Sequence, residues 1–181
     1  MKVLGAIHDP TFTARTYNWL DQIFLKYIKD ERDLPFVYLT IRISLTLIPL
    51  AVLLFMPFVT GWVWWTVAAI HFYISNFVFK GPFGLMLHCT SHRPFFKPEY
   101  AWLNNYLPWV MAPFFGHTPE TYYSHHIGMH HPENNLEDDD SSTMAFQRDS
   151  FRSFLNYFGQ FFVLGVHNLL DYLRRKKRNK L

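Results

Sequence analysis

Ten histidines occur in this chain of 181 residues, and seven of them fall between positions 88 and 131. His88 and His92 are four residues apart. His126 and His130 repeat that spacing, with His125 and His131 adjoining them. On a helix, residues four apart share a face, so each pair can present two imidazoles to one ion. By the same arithmetic His131 points about 100° away from His130, toward a second ion. His125 is either a further ligand or a donor that orients a neighbouring ring. His117 reads as a loop residue ahead of the second group. His71, among apolar residues, reads as a hydrogen-bond partner between helices. His8 and His167 have no supporting neighbours in the sequence.

Imidazole suits zinc, copper, iron and nickel. Structural zinc usually recruits cysteine, and Cys89 is the one cysteine in the chain. A closed zinc site of four ligands would also leave several histidines unused. Many neutral, redox-tolerant imidazoles, with positions left open for oxygen, favour a two-iron site over zinc. A zinc hydrolase would need a general base beside the metal, and no H-E-x-x-H motif supplies one. Asp138, Asp139 and Asp140 follow the second group. They read first as a solvated acidic loop, and second as acceptors that tune the site.

Something must hold these histidines, and the flanking sequence looks built for a bilayer. Half of the residues are hydrophobic and 19% are aromatic, yet the mean hydropathy is −0.02. The apolar residues must therefore lie in blocks. Residues 34–59 carry one charge, Arg42, and are long enough to cross a hydrocarbon core of roughly 30 Å as a helix. After Thr60-Gly61 a second apolar block covers 62–79. The short break predicts a helical hairpin of two spans. Lys26, Lys29 and Arg32, with Lys2 and Arg15, precede it, and Lys80, Arg93 and Lys97 follow it. That distribution puts both ends on the cytoplasmic side, with Trp62, Trp64 and Trp65 at the opposite interface.

Gly81-Pro82 predicts a bend, and residues 101–116 a short apolar segment at the interface. Residues 151–173 predict an amphipathic surface helix. The basic end, Arg174 to Lys180, suits anionic lipid headgroups better than nucleic acid. The expected organisation is one all-α membrane domain. It has a cytoplasmic N-terminal segment (1–33), a transmembrane hairpin (34–59 and 62–79), a histidine-bearing region of interfacial helices on the cytoplasmic side (80–150) and an amphipathic basic segment (151–181). One cysteine leaves no internal disulfide, as a reducing compartment allows.

At its histidines the sequence resembles the membrane fatty acid desaturase and hydroxylase superfamily. His88-Cys-Thr-Ser-His92 fits the first family box, H-x(3–4)-H. His126-Ile-Gly-Met-His130-His131 fits the second, H-x(2–3)-H-H. The stretch from Tyr122 through Asn135 to Thr143 resembles one desaturase-like branch, and the likeness spans residues 36–173. The resemblance implies a cytoplasm-facing di-iron centre held by eight or more histidines. His88, His92, His126, His130 and His131 would be among the ligands, with His125 beside them. It also implies molecular oxygen as co-substrate and a membrane lipid or acyl chain as substrate. A ferredoxin or a cytochrome b-type protein would be the electron donor. The metal carries the difficult chemistry, and the protein supplies binding, orientation and exclusion of water.

The family's third box, H-x(2–3)-H-H, has no counterpart after His131, where His167 is the one histidine left. The expectation is therefore the N-terminal part of such an enzyme, completed by a C-terminal half or a second chain. A lipid, carotenoid or sterol hydroxylase of the same superfamily is the alternative chemistry. A catalytically incomplete metal-binding membrane subunit is the alternative class.

Overall fold

The computed structural model describes residues 16–178, and the regular elements among them are helical. The one β contact in that range is an isolated bridge between Ile28 and Phe96. Lys2, His8 and Arg15 of the expected N-terminal segment, and Lys180 of the basic end, lie outside the described residues.

Helix α1, Trp19–Phe24, opens on a reciprocal cap. The Asn18 side chain accepts from the N–H groups of Leu20 and Asp21, and the Asp21 carboxylate accepts from the Asn18 N–H. Donors that a helix start leaves free are thereby satisfied. Helix α2, Leu34–Leu53, begins with Pro35 in its first turn, where a missing N–H costs nothing. With the preceding 3-10 turn it forms a run, Glu31–Leu53, long and apolar enough to cross a membrane. It stops at Leu53 rather than at 59. Pro57 disfavours helical geometry in the residue before it, and the chain turns. Trp64 Nε1–H donates to the Leu54 carbonyl across that turn at 3.0 Å.

Helix α3, Gly61–Tyr73, passes into a π-helical segment, Ile74–Phe79, and then into α4, Lys80–His92. Glu31–Leu53 is thus the single candidate span among the described residues, where the expected hairpin calls for two. Gly81-Pro82 does not end the helical run, because the pair lies in the first turn of α4. A proline ring crowds the preceding helical turn. The wider π turn just before it supplies the room, and the helical run continues to His88 and His92.

Helix α2 packs against α3, the π segment and α4. Ile43, Leu47, Phe79, Phe83 and Met86 of these elements form one buried cluster with Leu107 and Met111 of the segment that follows box one. On the outside, Leu45, Phe55, Phe58, Trp62, Trp65, Phe72 and Phe77 are exposed. Exposed apolar side chains in this number mark contact with lipid or another protein. Residues 98–115 form three short irregular helices, Pro98–Asn105, Leu107–Met111 and Ala112–Phe115, each with a proline in its first turn. Gly116 ends them at φ 82°, a left-handed conformation that glycine adopts without steric cost.

The second histidine group rides on one more helical run. Helix α5, Thr121–His125, leads into a π segment, His126–His130, and into α6, His131–Glu133. Helix α7, Phe151–Arg175, packs back across this run. Met129 is buried there with Leu169, Tyr172 and Leu173. Each such side chain contributes about 1.5–3 kcal/mol by leaving water.

Three cations of the basic end, Arg175, Lys176 and Arg178, turn onto the acidic loop and the backbone of box two. Arg175 pairs with Asp138 at 3.1 Å, and Lys176 with Glu133 and Asp138 at 3.1 and 3.3 Å. Arg178 Nη1 donates to the Gly128 carbonyl at 2.6 Å. The last turn of α7 lies beside the loop, so these cations find carboxylates within reach.

Candidate metal centre

Box one hangs on the last turns of α4, and the chain just past it is held firmly. Just past it, Arg93 bonds Asp33 at 2.6 Å and Asp30 at 3.3 Å, and Asp33 is 4% exposed. The Asn104 side-chain oxygen accepts from the N–H groups of Phe95 and Phe96, both at 3.0 Å. Leu87 and Met86 are buried on the inner face of α4, which leaves His88 and His92 on the face toward box two.

There the imidazoles converge. One ring nitrogen from each of His88, His92 and His126 lies within 4.8 Å of the others. His126 Nε2 is 3.1 Å from His92 Nε2, and His131 Nε2 is 3.1 Å from the former and 3.3 Å from the latter. A ring nitrogen is either a donor or an acceptor, never both. Three that touch one another must therefore include at least one like pair, two lone pairs or two N–H groups face to face. A cation at the centre removes the conflict by taking all three lone pairs. The separations fit as well. Metal–imidazole bonds of about 2.0–2.1 Å place neighbouring ligand nitrogens roughly 2.9–3.4 Å apart in tetrahedral or octahedral geometry. The donor set thus fits a bound transition-metal ion.

The partner of His126 differs from the one its spacing predicts. An α-helix would set His126 beside His130 and turn His131 away. In the π segment, hydrogen bonds span five residues rather than four, and His126 meets His131. His130 turns aside, with Nδ1 at 2.7 Å from Asp139 Oδ2 and 3.0 Å from Ser141 Oγ. Its ring lies near-parallel to His126 at 5.6 Å and to His125 at 6.5 Å between centroids. His125 meets the edge of Phe161 at 5.7 Å.

Burial tunes the cluster toward neutrality. Desolvation, reinforced by the neighbouring imidazoles, lowers His126 from 6.5 to about 4. Desolvation also lowers His92, again helped by His131 and His88. His125 is lowered by burial, against the opposing pull of Asp139 and Asp140. A neutral imidazole is the form that binds a metal.

The other histidines separate cleanly. His117 lies edge-on to Tyr122 at 5.7 Å, and His167 pairs with Asp171 at 3.1 Å on the exposed side of α7. His71 was expected to bond across helices, but its Nε2 is buried with no hydrogen-bond partner among the described residues. The acidic run is not one solvated loop. Asp138 faces the basic end, Asp140 accepts from Asn168 at 2.6 Å, and Asp139 is 3% exposed. Sequence reasoning also passed over Tyr172, which is fully buried and donates to Glu133 at 2.6 Å, holding α6. No spacing rule links residues 39 apart. The one available signal was a tyrosine on an otherwise apolar stripe of α7.

A cavity of about 330 Å³ opens beside His92, walled by Leu87, Phe95, Leu107, Ala112 and Tyr122, with Thr118 and Glu120 among its polar members.

Compared with known proteins, the chain matches the fatty acid desaturase family over residues 64–181. No curated protein and no solved structure matches it.

Proposed function

Because this chain belongs to the fatty acid desaturase family, we propose that it is an oxygen-dependent, di-iron acyl-lipid desaturase or the N-terminal part of one. The observation that carries this reading is the convergence of His92, His126 and His131 at 3.1–3.3 Å, with His88 alongside. These four would hold one ion. His130, with His125 near it, would face a second. When bound, iron would use molecular oxygen and electrons from a ferredoxin or cytochrome b-type donor to take hydrogen from an unactivated acyl chain. Imidazoles beyond these six, from another segment or a second chain, would complete a two-ion set.

The protein's own work is positioning. Neutral His92 and His126 present lone pairs at physiological pH. Tyr122 stacks on His126 at 5.3 Å and holds its ring plane. The cavity beside His92 would take the acyl segment and keep water from it, its apolar wall facing the chain. Glu31–Leu53, and the apolar helical run from Gly61 that adjoins it, would seat the domain in the bilayer. The histidine groups and both ends would then lie on the cytoplasmic side.

Elemental analysis of the detergent-purified chain, alone and extended with any downstream reading frame, tests the metal. Lipid mass spectrometry with and without oxygen tests the reaction. Iron, with oxygen-dependent loss of two hydrogens from an acyl chain, is expected from the complete centre. A gain of oxygen would make the enzyme a hydroxylase. Zinc or no metal in both forms, or turnover unaffected by anaerobic conditions, would sink the proposal.

A further inference from the structure

Asp139 is the most completely enclosed carboxylate near the histidines. Its side chain is 0% exposed. Oδ1 accepts from the Ser141 N–H at 3.0 Å and the Ser141 hydroxyl at 2.7 Å. Oδ2 accepts from the Asn135 N–H at 2.9 Å and faces His130 Nδ1 at 2.7 Å. All four lone-pair directions of the carboxylate are therefore used. The backbone is bent to achieve this. Asn134 and Asn135 both have positive φ, 47° and 64°, so the Asn135 N–H turns inward. Asparagine tolerates that conformation better than most residues.

An ionised carboxylate is acceptor-only, so the proton between the pair sits on His130 Nδ1. In the neutral ring, the form that binds a metal, Nε2 is then the bare nitrogen. It makes no hydrogen bond among the described residues, although the ring neighbours His125, His126 and His131. A histidine left free at this place would choose between two tautomers and rotate. Asp139 removes both freedoms.

We propose that Asp139 is a positioning residue that locks His130 in the Nδ1-protonated tautomer and aims its bare Nε2 at a metal ion. The inference rests on the reading of His130 as a ligand. Carboxylates that orient a ligating imidazole typically change metal affinity tenfold to a hundredfold when removed.

The test uses the full chain in detergent, stripped of metal, with Co²⁺ as the probe. Equilibrium dialysis measures the Co²⁺ stoichiometry and the affinity of each ion, with His92→Ala read beside the parent to separate the ion at His130 from the ion at His92, His126 and His131, and ¹⁵N NMR of labelled histidine gives the His130 tautomer of the metal-free protein. Asp139→Asn can turn its amide N–H toward Nδ1 and reverse the tautomer. It is expected to weaken Co²⁺ binding at least tenfold and to move the His130 proton to Nε2. Asp139→Glu retains the charge, and serves if the asparagine variant does not fold. It is expected to keep the tautomer and lose less than tenfold. Weakened binding with the tautomer unchanged in Asp139→Asn, or a reversed tautomer in Asp139→Glu, would overturn the proposal. His130→Ala separates the two readings. If it loses Co²⁺ while Asp139→Asn keeps both affinity and tautomer, the inference about Asp139 is wrong and the ligand assignment stands. If His130→Ala keeps both the Co²⁺ stoichiometry and the affinities of the parent, the ligand assignment falls, and the inference with it.

Discussion

Deleting Ile127 should leave the histidine cluster intact, although it removes a residue from within box two. In an α-helix, residues five apart are separated by about 500°, which leaves them some 140° apart around the axis and 7.5 Å along it. His126 and His131 could not then place their Nε2 atoms at the observed 3.1 Å. Residues four apart differ by about 400°, an offset of only 40°, with a rise near 6 Å. The π segment His126–His130 therefore does for a five-residue spacing what an ordinary helical turn does for four. Removing one residue turns the spacing from five to four, and the π turn into an α turn, while both flanks keep their places.

The assay is Co²⁺ equilibrium dialysis of the detergent-purified chain. Deletion of Ile127 is expected to hold affinity within about tenfold, or 1.4 kcal/mol. His131→Ala, which removes a corner of the cluster, should lose more than about a hundredfold, beyond the usual effect of losing a supporting partner. Deleting Ser124 instead, inside the regular turn of α5, shifts His126 by about 100° and 1.5 Å relative to the preceding chain and should lose as much. If the Ile127 deletion binds Co²⁺ as poorly as His131→Ala, the π turn is not what aligns the two rings.

Three further outcomes follow from the packing. Tyr172→Phe removes the hydroxyl that donates to Glu133 at 2.6 Å and should cost about 1.5–3 kcal/mol, as hydrogen bonds to charged groups do; thermal unfolding in detergent reads it. Arg93→Ala strands the buried Asp33 carboxylate. Breaking a fully buried pair costs about 3–5 kcal/mol, and the partly exposed arginine reduces this to roughly 2–3 kcal/mol, visible in the same melt. His126 takes its proton near 6.5 when unfolded but at about 4 when folded. Between those values the unfolded chain binds more protons, so folding of the metal-stripped protein should weaken as pH falls from about 6.5 through 4. Melting temperatures across that range should drop more steeply for the parent than for His126→Gln, and equal slopes would refute the assignment.

Much of the site is legible in the sequence. Imidazoles at a spacing of four read as one face of a helix, and α4 does present His88 and His92 together. The helical class, the long apolar run ahead of the histidines and the amphipathic helix from Phe151 all follow from periodicity, because burial acts on one residue at a time and leaves its pattern in the chain. The misreadings came where backbone geometry departs from the α-helix. At 100° per residue His131 points away from its partners, and the π segment that changes this leaves no mark in residue types. Gly81-Pro82 stays within a helical run because the π turn ahead of it has room for the proline ring.

By itself, then, the sequence determined which residues are chemically able to bind a metal, and that helices carry them beside apolar segments. Only the tertiary structure decided which imidazoles meet, which of three consecutive aspartates is buried against His130, and that Arg175 and Lys176 pair with the acidic loop. Those outcomes depend on contacts between residues far apart in the chain. His92 meets His126 across 34 positions and Tyr172 meets Glu133 across 39. Local patterns carry burial and helical phase, but a distance between two helices is set by everything packed between them.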